Sequence, residues 1–302
     1  MASDPTRREA LARLLLLSAA LGLPRPLLAT DPDIQRLIAW VERLRAEGFL
    51  AEDAPFGRAV AHTAELALGT PYVAGTLEEY LRAGEDPAAE PLALSLTRFD
   101  CVTLVESCIA VARLAQDPFK GMWARFGTEM ERMRYRDGRR RGYASRLHYF
   151  SEWIADGARR GLLQDLTADL GGAPDPRPLR FMTEHRASYP ALADDTTFAA
   201  IGAMERTLDA VPRHVIPTAR IAGINDRIET GDVLAFATAI PGLDVTHTAL
   251  AWRRPDGVLG VLHAPLSGGV VEIARLPLTD YVAAIRRATG IMVARPLRLA
   301  GE

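Results

Sequence analysis

A change of texture near Pro176 constrains this chain more than any other feature. Before it, apolar residues recur at helical spacing. Ile34, Leu37, Ile38, Val41 and Leu44 mark a helix over Asp33 to Glu47, with Asp31 or Asp33 as its cap. Further helices are expected over Pro55 to Leu68, Cys101 to Leu114, Phe119 to Met133 and Ser145 to Arg160. After it, Leu179 to Met182 reads as a strand and Phe198 to Leu208 as a helix. Short apolar runs then alternate with turn residues: Asp232 to Thr238, His247 to Trp252, Val258 to Ala264, Gly269 to Ile273 and Ile291 to Leu297. Gly242 and Asp256-Gly257 punctuate them, which predicts an antiparallel sheet. Leu278 to Ala288 reads as a last helix. Helices first and strands later predict an α+β fold.

The chain has 302 residues and nearly half are hydrophobic, enough for one sizeable core. No linker stands out, so residues 31–302 read as one domain with a helical insertion at about 117–210. Residues 1–30 read differently. Arg7-Arg8 precede a mostly apolar run from Ala10 to Leu23, in which Arg13 is the only charge, and Pro24 and Pro26 end it. This pattern predicts an export signal of twin-arginine type and a periplasmic destination. The run is too short to span a membrane, and no other segment qualifies. A net charge of −2 offers no broad field for nucleic acid.

Two cysteines occur, Cys101 and Cys108. On one helix they are separated by about 10 Å of rise, too far for a disulfide. Asp100 caps that helix, so Cys101 opens it, where free backbone N–H groups favour a thiolate. A lone cysteine is more commonly buried packing, and Cys108, in mid-helix, fits that reading. A cysteine nucleophile needs a base, and the base needs an orienting group. His247 opens one expected strand and His263 closes the next. A hairpin at Asp256-Gly257 brings the two imidazoles to one end of the strand pair, the placement a Cys–His–His triad requires. His62, His185 and His214 read as structural or exposed.

These residues carry a resemblance. Gly69-Thr70-Pro71-Tyr72, Asp100-Cys101, Gly231-Asp232-Val233, Thr246-His247-Thr248-Ala249 and Leu262-His263-Ala264-Pro265 occur in this order. The series resembles the NlpC-type papain-like cell-wall hydrolases. Asp100-Cys101-Val102-Thr103, Arg134 to Gly138, Ser145 to Tyr149 and Gly242-Leu243-Asp244 resemble its N-acetylmuramoyl-L-alanine amidase-like branch. The resemblance spans roughly residues 55 to 297. It implies a papain-like fold with an antiparallel sheet packed on the nucleophile helix. It implies Cys101 as nucleophile, His247 as base, His263 as the residue orienting it, and Tyr72 as an oxyanion donor. No cofactor or metal is implied. Thr248-Ala249 departs from the usual Val-Gly, and Pro265 from the usual Ser.

The implied reaction is amide hydrolysis on peptidoglycan or muropeptides, at the bond between N-acetylmuramic acid and L-alanine. The alternatives are a γ-D-glutamyl-diamino acid endopeptidase of the same fold and a relative that only binds wall peptide. A metal-dependent amidase lacks its His-x-x-x-His or Cys-x-x-Cys spacing here, and a serine hydrolase its Gly-x-Ser-x-Gly elbow. The arginines between Arg132 and Arg146 are mostly a solvated surface. Arg146 and His148 belong to the branch-like motif and are expected to grip substrate carboxylates, with Tyr149 stacking beside them.

Overall fold

The computed structural model of the protein describes residues 31–49, 51, 54–116, 121–265, 267 and 269–299. The expected export signal at 1–30 lies outside the described residues. The helices are α1 (Pro32–Ala46), α2 (Phe56–Leu66), α3 (Glu79–Arg82), α4 (Cys101–Ala115), α5 (Met122–Arg134), α6 (Phe150–Arg159), α7 (Phe181–Glu184), α8 (Asp195–Leu208) and α9 (Leu278–Ala284). The strands are β1 (Leu163–Asp165), β2 (Ala173–Pro174), β3 (His214–Pro217), β4 (Val233–Thr238), β5 (Val245–Arg253), β6 (Leu259–His263), β7 (Glu272–Ile273) and β8 (Ala288–Pro296).

The strands form one sheet in the order β2-β3-β8-β4-β5-β6-β7, with β1 also on β8. Every pairing is antiparallel. The fold is therefore α+β with an antiparallel sheet, as the change of texture predicts. Both faces of the central strands are buried. Val233, Ala235 and Ala237 of β4 join the core that holds α4, while Leu234 and Phe236 join the core under α9. This is why β4 reads as a continuous apolar run and not as an alternation.

Helix α4 is buried from Thr103 to Ala115. A helix that is apolar nearly all round belongs inside a core, and α4 packs on α1, α2, α5 and β5. Helices α5 and α6, expected as part of an insertion, share that core through Phe126, Met130, Phe150 and Trp153. A third cluster, around Tyr143, Tyr149, Leu179, Met182 and Leu192, gathers α7 and α8.

Helix α6 begins at Phe150 and not at Ser145, β7 is only Glu272–Ile273, and two further expectations change. Leu179 to Met182 is not a strand, because Arg180 N–H and Phe181 N–H both donate to the Gly242 carbonyl at 3.0 Å. Met182 N–H and Thr183 N–H then donate to the Glu205 carboxylate at 3.1 and 3.2 Å, as at a helix start. Helix α9 ends at Ala284 and not at Ala288. The chain turns through Arg287 at φ 68° and enters β8 at Ala288.

Candidate active site

Cys101 is the first residue of α4. The Asp100 side chain accepts from Thr103 N–H at 2.8 Å, and Asp100 N–H donates to Thr103 Oγ1 at 2.9 Å. This reciprocal cap is worth about 1 kcal/mol. It fixes the helix start while the buried body of α4 fixes the axis. Cys101 is half-buried and Cys108 fully buried; both are free thiols.

The Gly69 to Tyr72 turn is pinned from two sides. Gly69 N–H donates to the Val271 carbonyl at 2.9 Å, and Tyr72 N–H to the Gly269 carbonyl at 2.8 Å. Phe99 N–H donates to the Pro71 carbonyl at 3.0 Å, and Val73 N–H to the Phe99 carbonyl at 2.8 Å. Gly69 sits at φ 79°, where a side chain would be strained. The turn thus lies beside the segment that leads into the nucleophile. Burial raises the Tyr72 phenol above its ordinary pKa, with Cys101 and Asp100 adding to the effect. It stays a protonated donor near the thiol.

His247 and His263 meet. His247 Nε2 lies 2.8 Å from His263 Nδ1. His247 is half-buried and stacks on Phe236 at 5.6 Å between ring centroids. His263, 2 % exposed, lies behind it. The Tyr281 hydroxyl, from α9, stands 3.1 Å from His263 Nδ1. Thr248, the residue after His247, bears on Cys101 directly, and the Tyr281 phenol also feels the Cys101 charge. The structure thus places Tyr72 and Thr248 near Cys101 at the start of α4, and joins His247 to His263 and Tyr281 at the facing ends of β5 and β6.

The resting protonation state differs from the expected thiolate. Burial, then the Asp100 carboxylate, push the Cys101 thiol up to about 11. The neighbouring Thr248 and Cys101's own N–H offset only part of this. Burial, then His263, push His247 down to about 3, and burial pushes His263 down to about 4. At neutral pH the thiol and both imidazoles are uncharged. Desolvation outweighs the helix-start field here. Alkylation of Cys101 by iodoacetamide should therefore be slower at pH 7 than that of an ordinary thiol, and should rise steadily to about pH 10. A rate already level at pH 7 would instead show a preformed ion pair.

Other motif residues do structural work. A Cβ on Gly231 would lie 1.8 Å from the Gly57 carbonyl oxygen, so only glycine allows β4 to approach α2. Asp232 clamps Arg295 through two contacts of 2.8 Å. The buried Asp244 carboxylate accepts from Ser151 N–H at 2.7 Å, tying the start of α6 to the start of β5.

Arg146, His148 and Tyr149 do not form the expected substrate grip. Arg146 is buried, with Nη2 3.0 Å from Glu78 Oε1 and Nε 3.4 Å from Glu90 Oε1. His148 Nε2 lies 2.9 Å from the Tyr143 carbonyl oxygen. The buried Tyr149 hydroxyl donates to Glu205 Oε1 at 2.7 Å. Arg146 and Tyr149 are thus turned toward carboxylates of the protein itself, and His148 Nε2 toward a backbone carbonyl. Conversely, Tyr281 joins the site without a local sequence cue, since one tyrosine on an amphipathic helix looks like packing. Among the described residues, no helix is long and apolar enough to cross a membrane.

The family model for N-acetylmuramoyl-L-alanine amidase-like proteins matches residues 62–291, which include Tyr72, Cys101, His247 and His263. An N-acetylmuramoyl-L-alanine amidase structure from Bacteroides uniformis is similar at 31% identity and TM-score 0.72, covering 80% of this chain and 99% of that one. A Bacteroides fragilis structure, provisionally named a xylanase, is 33% identical with TM-score 0.66, covering 77% and 98%. A Legionella pneumophila protein of family DUF1460 shares the fold at 16% identity and TM-score 0.58, covering 88% and 97%. No curated protein matches the chain.

Proposed function

Since the chain belongs to the N-acetylmuramoyl-L-alanine amidase-like family, we propose that it is a papain-like, NlpC-type cysteine hydrolase that releases L-alanyl stem peptide from muropeptides. The observation that carries this reading is the 2.8 Å His247–His263 contact on the strand whose next residue bears on Cys101. His247 spends Nε2 on His263, which leaves Nδ1 as the nitrogen for the thiol proton.

In the proposed reaction, His247 takes the Cys101 proton as the sulfur attacks the lactyl carbonyl. The resting thiol is neutral, so proton transfer accompanies attack. The Cys101 backbone N–H and the Tyr72 hydroxyl stabilise the oxyanion. The His247 imidazolium, held by His263, protonates the leaving L-alanine amine. A thioester remains on Cys101. His247 then deprotonates water, which cleaves the thioester and regenerates the thiol. An exported, periplasmic location delivered by residues 1–30 fits a wall-derived substrate.

Mass spectrometry of products from one defined muropeptide tests the bond. The proposal expects a lactyl acid on the sugar and a stem peptide with a free L-alanine amine. L-Alanyl-D-glutamate left on the sugar would indicate the endopeptidase, and intact substrate bound to the protein would indicate a binding relative. Either result overturns the proposed reaction.

A further inference from the structure

Behind the histidine pair lies a nitrogen without a partner. His263 Nε2 is buried and makes no hydrogen bond. The Glu272 carboxylate stands 3.9 Å from it, just beyond hydrogen-bond reach. Glu272 is directly opposite His263 in the β6–β7 register, so both side chains leave the same face. The Glu272 side chain is 48% exposed, so it is free to close a gap of about 1 Å.

The 2.8 Å contact between the imidazoles holds one proton, and it has two arrangements. In one, His247 Nε2–H donates to His263 Nδ1, and His247 Nδ1 is bare. In the other, His263 Nδ1–H donates to His247 Nε2, and His247 carries its own proton on Nδ1. Only the first leaves a base for a thiol. The first also places the His263 proton on Nε2, facing Glu272. When the Tyr281 hydroxyl donates to His263 Nδ1 it excludes a proton from that nitrogen, although it then shares the one lone pair with His247 Nε2–H. Burial pushes this phenol up to about 12, so it remains a donor. The titratable groups that face His263 are thus His247 from β5, Glu272 from β7 and Tyr281 from α9.

We propose that Glu272 is a positioning residue: it closes onto His263 Nε2–H, fixes that tautomer, and so keeps His247 Nδ1 bare for Cys101. The proposal rests on His247 as the base of the proposed reaction. Without the carboxylate, a buried N–H would be left unpaired, and the competing tautomer would gain population.

The test combines a structural and a kinetic readout on the full chain. Nitrogen NMR of histidine-labelled protein should show His263 protonated at Nε2 in the wild type and a mixed tautomer in Glu272→Ala. With a defined muropeptide, Glu272→Ala should lower kcat about tenfold while KM stays within about twofold. Glu272→Gln retains a carbonyl acceptor, so it should recover the wild-type tautomer and most of kcat. A wild-type tautomer or a wild-type kcat in Glu272→Ala overturns the proposal. Cys101→Ala, assayed alongside, separates the two readings. If that variant still hydrolyses substrate, the cysteine mechanism falls, and the tautomer measurement still decides the role of Glu272.

Discussion

Cys101→Ala is expected to lower muropeptide hydrolysis by about four orders of magnitude or more while leaving the fold and substrate binding intact. The loss is large because the sulfur is the only atom in the proposed chemistry that bonds to substrate. The fold survives for local reasons. The Asp100–Thr103 cap uses no atom of the cysteine side chain. Alanine is the best helix former, and the change removes a single sulfur atom at the first residue of the helix. Binding survives for an electrostatic reason. The thiol, pushed up to about 11, and His247, pushed down to about 3, are both neutral at pH 7. Removing the sulfur therefore strands no charge. A steady-state assay gives the rate, and calorimetric titration with the uncleaved muropeptide gives the affinity. Hydrolysis that persists in Cys101→Ala would sink the mechanism. Cys108→Ala should leave kcat/KM unchanged, because Cys108 is fully buried in mid-helix, out of reach of substrate.

How much of this was legible in the sequence follows from how local each feature is. The start of α4 was readable to the residue, because an aspartate cap and a long apolar run lie within one segment. The β5–β6 hairpin was readable from Asp256-Gly257, and so was the meeting of His247 and His263. Their geometry was not. Leu250 pairs with Leu262, so His263 falls opposite position 249, two residues beyond His247. The imidazoles meet diagonally and not as mirrored partners, which is within reach for side chains of this length. The β4–β5 register also shifts between Phe236 and Ala237, which leaves Thr246, beside His247, as the extra residue on β5. The burial that raises the Cys101 thiol is not legible for a similar reason. The helix-start field is local, whereas burial of the thiol depends on what packs around it in the fold. Tyr281 and Glu272 reach His263 only through tertiary packing and register, so no spacing rule exposes them.

The arginines show the same limit with the largest energetic consequence. Arg146→Ala is expected to destabilise the protein by about 3–5 kcal/mol. In sequence, Arg146 sits in a run of surface-like charge next to a family motif, which favours a substrate contact. In the structure it is 5% exposed and turns inward to carboxylates far back in the chain. It joins Glu78 at 3.0 Å and Glu90 at 3.4 Å, and its guanidinium lies 4.8 Å from the Tyr143 ring centroid. Glu90 is 1% exposed and accepts from the Tyr80 and Tyr135 hydroxyls at 2.5 and 3.2 Å. Its backbone is held at φ 24°, a conformation only a well-determined surrounding maintains. Truncating Arg146 removes the guanidinium that contacts the Glu90 carboxylate and leaves that buried charge with two neutral donors. Lysine in its place restores a charge but neither the fork to two carboxylates nor the flat face on Tyr143, so Arg146→Lys should recover only part of the loss. Arg139, exposed and without these partners, sets the baseline: Arg139→Ala should change stability by less than about 0.5 kcal/mol. Urea unfolding of the three variants measures all of this. If Arg146→Ala unfolds like the wild type but raises KM, the inward ion pairs are not what the residue is for, and the motif marks a substrate contact after all.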